Sequence, residues 1–320
     1  MNCSAIPLII LVGPTAVGKT AASIGLAKAL QGEIISGDSM QVFRGLDIGT
    51  AKITAEEMEG VPHHLIDIKE PWETFSAAEF KTLADSAIAD IYQRGKVPIL
   101  VGGTGFYVNG VLYEYHFGES ITDELYRQQL LQYQQQHGNE ALWQLLQQRD
   151  PLSAQRLHCN DSKRIIRALE VLHVTGTPAS QRQNTVDKQT MRYRTAYLGL
   201  NLPRDILYQR INQRVDLMIA QGLEQEVRQT LEHGVPADAL SMTSLGYRQM
   251  VQYLRGEYSL DKAIELIKRD TRHFAKRQLT WFRHDPNLQW VEKLGKTDAQ
   301  VQAELLQLVT QKLNLQQTGL

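Results

Sequence analysis

The chain has 320 residues, of which 42% are hydrophobic and 22% charged, with a formal net charge of −1. No apolar run reaches the roughly 18 residues needed to span a bilayer, and two cysteines give neither a disulfide framework nor a metal site. These features exclude membrane-spanning helices and a disulfide scaffold. We expect a monomeric, cytoplasmic protein that has a sizeable hydrophobic core and no membrane partner.

A glycine-rich motif follows the first predicted strand. An apolar run over 6–12 precedes it and a helical pattern over 20–30 follows it. The motif consists of Gly13, Pro14, Thr15, Ala16, Val17, Gly18, Lys19 and Thr20. It matches the phosphate-loop pattern in the strand–turn–helix context that this pattern requires. Its N–H groups would bind a phosphate, Lys19 would neutralise charge, and the Thr20 hydroxyl would hold Mg²⁺.

Strands and helices alternate as far as about residue 117. Strands are predicted over 33–36, 64–68 and 97–101, and capping-box spacings predict helix starts at Thr54 and Ser76. Continuous apolar strands between helices indicate a parallel sheet covered on both faces. The predicted fold class is therefore α/β, with a P-loop NTPase-like parallel sheet flanked by helices.

The composition changes after about Phe117. Residues 122–149 are rich in glutamine with apolar residues at helical spacing, and 177–194 is polar. We predict a helical insertion domain over 118–194, between the two parts of a core domain, 1–117 and 195–320. The other predicted elements are strands over 195–200 and 288–291 and helices over 161–174, 203–221, 223–233, 246–254 and 259–283.

Asp38 follows the second predicted strand. Loops at the carboxyl ends of parallel strands face the ligand crevice. A carboxylate there could be a general base, a Mg²⁺ ligand or a cap of a turn, and the neighbouring Ser39 and Gln41 could bind the edge of a base.

A second glycine-rich turn, Gly102–Gly105, follows the strand over 97–101. Nucleotide-hydrolysing and kinase enzymes usually carry an acidic Mg²⁺ ligand near such a strand end. This strand ends in glycines and Thr104 instead, which weakens the nucleotide-hydrolysis interpretation. The turn either lets a ligand approach the backbone, with Thr104 donating to a phosphate, or serves close packing.

Basic residues are concentrated in 151–283, which holds about 21 lysines and arginines against about 13 aspartates and glutamates. Two basic segments, 163–167 and 276–283, lie on predicted helices. In the second, Lys276, Thr280 and Arg283 share one face, while Leu279, Phe282 and Trp281 are expected to turn inward. Such segments suit contacts to RNA, and they are equally compatible with ordinary solvated helix faces.

Six stretches together resemble the bacterial tRNA dimethylallyltransferases of the IPP transferase family. They are GPTAVGKT (13–20), DSMQVFRGLDIGTAK (38–52), VGGTGFY (101–107), NDSKRIIRALEV (160–171), LGYRQM (245–250) and KRQLTWFR (276–283). They run in family order and cover nearly the whole chain, and as a set they are specific.

The resemblance implies transfer of a dimethylallyl group to N6 of the adenosine next to the tRNA anticodon, at position 37. The 13–20 motif would then hold dimethylallyl diphosphate. Asp38 would be the general base, and Lys19, Thr104 and Arg214 would stabilise the leaving diphosphate, with Mg²⁺ near Thr20.

The resemblance also implies that the target base is extruded from the anticodon loop and that the insertion grips the anticodon stem-loop. The tRNA-binding positions that it implies are Asp38, Ser39, Met40, Gln41, Thr104, Arg127, Lys163, Arg164, Ile165, Ile166, Arg167, Thr243, Ser244, Leu245, Gly246, Tyr247, Arg248, Lys276, Arg277, Gln278, Leu279, Thr280, Trp281, Phe282 and Arg283.

Three other functions compete with this one. An adenylate isopentenyltransferase, acting on free AMP, ADP or ATP, would share the phosphate loop and the acidic residue, but it has less use for the insertion and the basic helix. A small-molecule kinase requires the acidic Mg²⁺ ligand that the strand over 97–101 lacks. A non-catalytic RNA-binding protein would have no need of Lys19 and Asp38.

Overall fold

The computed structural model describes residues 3–115, 123–181, 188 and 190–314. The chain divides into two compact units. The first comprises Met1–Glu114 and Asp187–Leu320, and the second comprises Tyr115–Val186. The insertion domain predicted over 118–194 stays a prediction; its first five residues, 118–122, and positions 182–187 and 189 of its polar end lie outside the described residues.

The first unit is built on a parallel sheet. Its strands are β1 (Pro7–Val12), β2 (Gly32–Ser36), β3 (His63–His64), β4 (Val97–Gly102), β5 (Arg194–Asn201) and β6 (Gln289–Glu292). Within the described residues, the sheet has six strands in the order β3-β2-β4-β1-β5-β6, and every pairing is parallel. This arrangement confirms the predicted α/β fold class.

Helices cover the sheet. Those of the first unit are α1 (Lys19–Leu30), α2 (Ala55–Met58), α3 (Ala77–Gln93), α4 (Gly105–Leu112), α8 (Arg204–Ala220), α9 (Leu223–Glu232), α10 (Tyr247–Leu254), α11 (Leu260–Arg283) and α12 (Asp298–Leu313). All six residues of β1 are buried, as expected for a central strand with helices on both faces. No helix in the described part of the chain is long and apolar enough to cross a lipid bilayer.

The second unit is helical. It contains α5 (Glu124–Arg149), α6 (Pro151–Arg156) and α7 (Ser162–Thr175). Gly138 interrupts α5 with a φ of 83°, so the glutamine-rich stretch forms two helical segments. Leu130, Leu142 and Leu146 pack against Ile165 and other apolar residues of α7 to form a separate small core.

The structure differs from the predicted elements in the extent of one strand and in three helices, α4, α6 and α12, that were not predicted. The strand predicted over 64–68 ends at His64, because Leu65 and Asp67 have positive φ values of 63° and 55° that no strand accommodates. Helix α12 was not predicted, although a capping box at Thr297 and Gln300 begins it. Buried residues at Val301, Leu305 and Val309 follow the helical spacing and could have revealed it.

Candidate active site

The 13–20 loop connects β1 to α1 at the carboxyl edge of the sheet. Gly18 caps the N-terminus of α1 with a φ of 97°, and Lys19 is the first residue of the helix. The ammonium group of Lys19 lies over the loop and donates hydrogen bonds to the carbonyls of Gly13 at 3.0 Å and Pro14 at 2.9 Å. The loop thus combines a helix N-terminus with a lysine directed back across it, which suits an anion.

The charge of Lys19 depends on its surroundings. Burial and, to a smaller extent, repulsion from Arg214 lower its pKa to about 8, while Asp38 acts in the opposite direction. Burial also lowers the pKa of Arg214, again opposed by Asp38. Two cations and one carboxylate from three distant parts of the chain therefore influence one another in one small region.

Asp38 follows β2, whose last residue, Ser36, pairs with Val101 of β4. Its Oδ1 accepts hydrogen bonds from the N–H groups of Met40 at 2.8 Å and Gln41 at 3.4 Å. The interpretation of Asp38 as a turn cap is therefore correct for this oxygen. In the described residues Oδ2 has no hydrogen-bond partner, so one oxygen can fix the turn while the other remains available as a base.

The Gly102–Gly105 turn follows β4 and begins α4. Thr104 lies at the N-cap position, and its side chain makes no capping hydrogen bond. The indole ring of Trp281 lies against Gly105 and leaves no room for a Cβ atom. Close packing therefore explains Gly105, whereas the partly exposed Thr104 hydroxyl remains suited to a phosphate.

Gln278 joins the two glycine-rich turns. Its Oε1 accepts from the N–H of Thr15 at 2.9 Å, and its Nε2 donates to the carbonyl of Gly103 at 3.0 Å. The side chain is 7% exposed. It supports the site from within, because both ends of its amide are engaged with the turns that form the site.

A cavity of about 580 Å³ brings many of the predicted residues together. The predicted residues that line it are Thr15, Asp38, Ser39, Met40, Thr104, Arg214, Ser244, Leu245, Gly246, Tyr247, Arg248 and Arg277. The cavity also includes Asp270, His273 and Phe274, which the sequence analysis did not single out. They lie on α11 with Arg277 at helical spacing, so extending the basic segment backward along its own helix would have found them.

The 276–283 segment forms the last two turns of α11. Lys276, Thr280 and Arg283 share one face as predicted, and Phe282 is buried. The expectation that Trp281 turns inward was wrong, because its ring is 42% exposed and rests edge-on against Phe106. A second cavity of about 500 Å³ lies along this face, bounded by His273, Lys276, Arg277, Thr280, Trp281 and His284.

The second unit holds Arg127 and the 163–167 segment. Lys163, Arg164 and Arg167 lie at the surface of α7, whereas Ile165 and Ile166 belong to the core of that unit. Arg127 donates to both oxygens of the buried Glu170 at 3.0 and 3.1 Å. Burial alone would raise the pKa of Glu170, but hydrogen bonds from Arg167 and Arg127 outweigh this and lower it. Arg127 therefore has a structural partner.

The chemistry of the site allows a Mg²⁺ ion but offers it few protein ligands. Thr20 is exposed on the first turn of α1, and within the described residues its hydroxyl makes no hydrogen bond. No group of three or more His, Cys, Asp or Glu side chains in the described ranges is placed to hold a metal. Mg²⁺ commonly uses one or two protein ligands and takes the rest from phosphate and water, so Thr20 fits that role.

The fold and the site define an α/β protein with a phosphate-loop motif and a cation–carboxylate cluster at the carboxyl edge of a parallel sheet. A family model described as IPP transferase matches residues 41–285. The chain therefore belongs to the IPP transferase family, and it is an enzyme of that family.

Full-length relatives support this assignment. A tRNA dimethylallyltransferase of Geobacillus thermodenitrificans is 48% identical over 310 residues, covering 97% of this chain and 98% of the relative. One from Carboxydothermus hydrogenoformans is 51% identical over 306 residues, with 96% of each chain covered.

Solved structures also support the assignment to this family. The full-length tRNA isopentenylpyrophosphate transferase of Bacillus halodurans matches with a TM-score of 0.73 at 46% identity, covering 96% of this chain and 97% of that one. A eukaryotic dimethylallyltransferase acting on tRNA matches with a TM-score of 0.77 at 30% identity, covering 94% and 77%.

Proposed function

We propose that this enzyme transfers the dimethylallyl group of dimethylallyl diphosphate to N6 of adenosine 37 in tRNA, on the 3′ side of the anticodon. The observation that carries the proposal is the single cavity onto which Asp38, Thr104 and Arg214 all open, beside the 13–20 loop and the basic α11. The names of the full-length relatives favour tRNA over free adenine nucleotides as the acceptor.

The diphosphate would bind at the 13–20 loop. Backbone N–H groups and the N-terminus of α1 attract the anion, and Lys19 and Arg214 neutralise the charge that grows as the carbon–oxygen bond breaks. Lys19 uses two of its three N–H groups on loop carbonyls, so one remains for an oxygen of the diphosphate. Thr104 would donate a further hydrogen bond from the opposite turn.

Asp38 would act on the adenosine. The exocyclic amine attacks the allylic carbon, a carbon–nitrogen bond forms, and diphosphate departs with the electrons of the carbon–oxygen bond. The proton lost from N6 passes to the free oxygen of Asp38, whose other oxygen is held by Met40 and Gln41. Mg²⁺, held by Thr20 when bound, would supply further positive charge to the diphosphate.

The tRNA would contact the basic side chains of α11 and the 243–248 segment, with the α7 face of the second unit on the anticodon stem-loop. Lys276, Arg277 and Arg283 suit phosphate contacts, while the exposed ring of Trp281 suits stacking on a base. Buried members of these segments, such as Ile165 and Phe282, support the helices instead. We place this reaction in the cytoplasm.

A competition assay separates the two acceptor classes. The enzyme is given labelled dimethylallyl diphosphate together with equimolar tRNA and AMP. We expect label on the tRNA and none on AMP. Label on AMP, with unlabelled tRNA, would support the adenylate isopentenyltransferase function and contradict this proposal.

A further inference from the structure

The carboxylate of Glu226, on α9, accepts four hydrogen bonds. Oε2 accepts from the N–H groups of Asp47 at 2.8 Å and Ile48 at 2.7 Å. Oε1 accepts from the N–H of Gly49 at 3.0 Å and from the hydroxyl of Tyr247 at 2.6 Å. One side chain thus holds three consecutive backbone groups and a residue from another helix.

The backbone held by Glu226 leads directly to Asp38. We call residues 47–51 the 47–51 loop. The carbonyls of Thr50 and Ala51 in this loop each accept from Nε2 of Gln41 at 3.4 Å. Gln41 in turn donates its backbone N–H to Oδ1 of Asp38. A shift of the 47–51 loop would therefore move the turn that orients Asp38.

Tyr247 connects Glu226 to a second wall of the cavity. Its buried ring begins α10 and fills the space beside Gly49, where no Cβ atom would fit. Burial and, to a smaller extent, the negative charge of Glu226 raise the pKa of Tyr247 well above its ordinary value. The hydroxyl group therefore remains a hydrogen-bond donor. Gly49, Thr50 and the 244–248 segment all line the site cavity.

We propose that Glu226 is a positioning residue for the transfer reaction, which fixes the 47–51 loop and Tyr247 so that Asp38 and the α10 wall face one bound adenosine. This inference rests on the proposed function. The chemistry requires a carboxylate, because its two oxygens offer about four acceptor sites and all four are used here. A glutamine at this position would direct its NH₂ group, which has two donors, at N–H or O–H groups that are themselves donors. Its single side-chain oxygen could accept only some of the four hydrogen bonds.

The matched pair of variants is Glu226→Gln and Glu224→Gln. Glu224 lies on the same helix and pairs at 2.8 Å with the exposed Arg228, an interaction of little energetic value. At saturating RNA and dimethylallyl diphosphate, we expect Glu226→Gln to slow single-turnover transfer by about 10²-fold, as a small misplacement of catalytic groups does. The dissociation constant of dimethylallyl diphosphate should stay unchanged, and Glu224→Gln should behave as wild type.

Amide hydrogen exchange gives a readout that does not depend on activity. In Glu226→Gln the amides of Asp47, Ile48 and Gly49 should exchange faster than in wild type, and in Glu224→Gln they should not. If Glu226→Gln does not fold, Tyr247→Phe removes one of the four donors and should give a smaller loss of the same kind.

The two proposals fail in different ways. If the wild-type enzyme modifies no RNA, the proposed function is wrong. Faster amide exchange at 47–49 in Glu226→Gln would still show that Glu226 holds this part of the loop. If wild type modifies tRNA but folded Glu226→Gln does so at the same rate, or exchange at 47–49 is unchanged, the positioning role is overturned. A loss of thermal stability with a normal rate per folded molecule would likewise overturn it.

Discussion

The side-chain amide of Gln278 accepts a hydrogen bond from the backbone N–H of Thr15, 263 residues earlier in the chain. The same amide donates to Gly103, so the end of α11 fixes the 13–20 loop and the Gly102–Gly105 turn in one arrangement. The 13–20 loop, the Gly102–Gly105 turn and α11 are thereby linked through one side chain.

Gln278→Leu tests this arrangement. The variant leaves the part-buried N–H of Thr15 and the buried carbonyl of Gly103 without their partner, and an unpaired buried group costs about 1–3 kcal/mol. We expect a lower free energy of unfolding in urea and weaker binding of dimethylallyl diphosphate. Gln229→Leu, at an exposed position of α9, is the control and should change neither. An unaltered unfolding free energy in Gln278→Leu would show that the amide does not hold the loops.

The variant Asp38→Asn tests the roles of the two carboxylate oxygens of Asp38 separately. The asparagine oxygen can still accept from Met40, so the turn is kept, but the group cannot take a proton. Single-turnover transfer should slow by about 10²–10⁴-fold, with dimethylallyl diphosphate binding retained. Asp38→Ala should slow transfer at least as much and loosen the turn as well. A collapse of diphosphate affinity in Asp38→Asn would indicate a metal ligand instead of a base.

The lowered pKa of Lys19 predicts a pH dependence of ligand binding. The free enzyme loses the Lys19 charge as the pH rises through about 8. Above that pH, the dissociation constant of dimethylallyl diphosphate should rise by up to about tenfold per pH unit. Calorimetric titration from about pH 7 to about pH 9.5 measures this, and Lys19→Arg, which stays charged, should show weaker but pH-independent binding. Wild-type affinity that does not change with pH would contradict the prediction.

The same shift affects stability with a definite sign. Between about 8 and the ordinary value of 10.5, the unfolded chain keeps the Lys19 proton that the folded chain has lost. Rising pH therefore favours the folded state through this group, and its unfavourable contribution is largest below about pH 8. Lys19→Met should remove this component from the pH dependence of the unfolding free energy.

Neutralising Lys276 and Arg277 tests the basic face of α11. Each ion pair with an RNA phosphate that is removed should make the slope of log Kd against log salt shallower by about 0.7–0.9, and the double variant removes up to two such pairs. Lys262→Gln is the control, because Lys262 lies on the first turn of the same helix and pairs with Glu265 at 2.7 Å. A salt slope for tRNA binding that is unchanged in Lys276→Gln/Arg277→Gln would remove α11 from the RNA interface.

Local patterns were enough to predict the parallel sheet and three segments that lie at its carboxyl edge. The 13–20 motif, Asp38 after β2 and the glycines after β4 each follow a buried strand, and parallel strands place their carboxyl ends at one edge. The helical spacing of 276–283 gave the outward face of α11. Trp281 was misjudged because an aromatic ring can lie on a helix surface when a glycine-rich turn, here at Gly105, packs beneath it.

Long-range hydrogen bonds could not be predicted. Glu226 looks like any carboxylate on an amphipathic helix, and its hydrogen bonds to the 47–51 loop join residues 177 to 179 positions apart. Gln278 stands within a basic segment that suggested RNA, yet its amide is turned into the protein. The short extent of β3 depends on the positive φ of Leu65, which its apolar sequence does not reveal.

A single-turnover reaction in which both products are measured tests the proposed transfer reaction most directly. The enzyme, dimethylallyl diphosphate and an anticodon stem-loop with adenosine at position 37 are combined, and released diphosphate and modified nucleosides are both measured. We expect equal amounts of diphosphate and N6-dimethylallyl adenosine at that position, and neither product when position 37 lacks the exocyclic amine. Diphosphate release without the RNA adduct, or modification at another base, would contradict it.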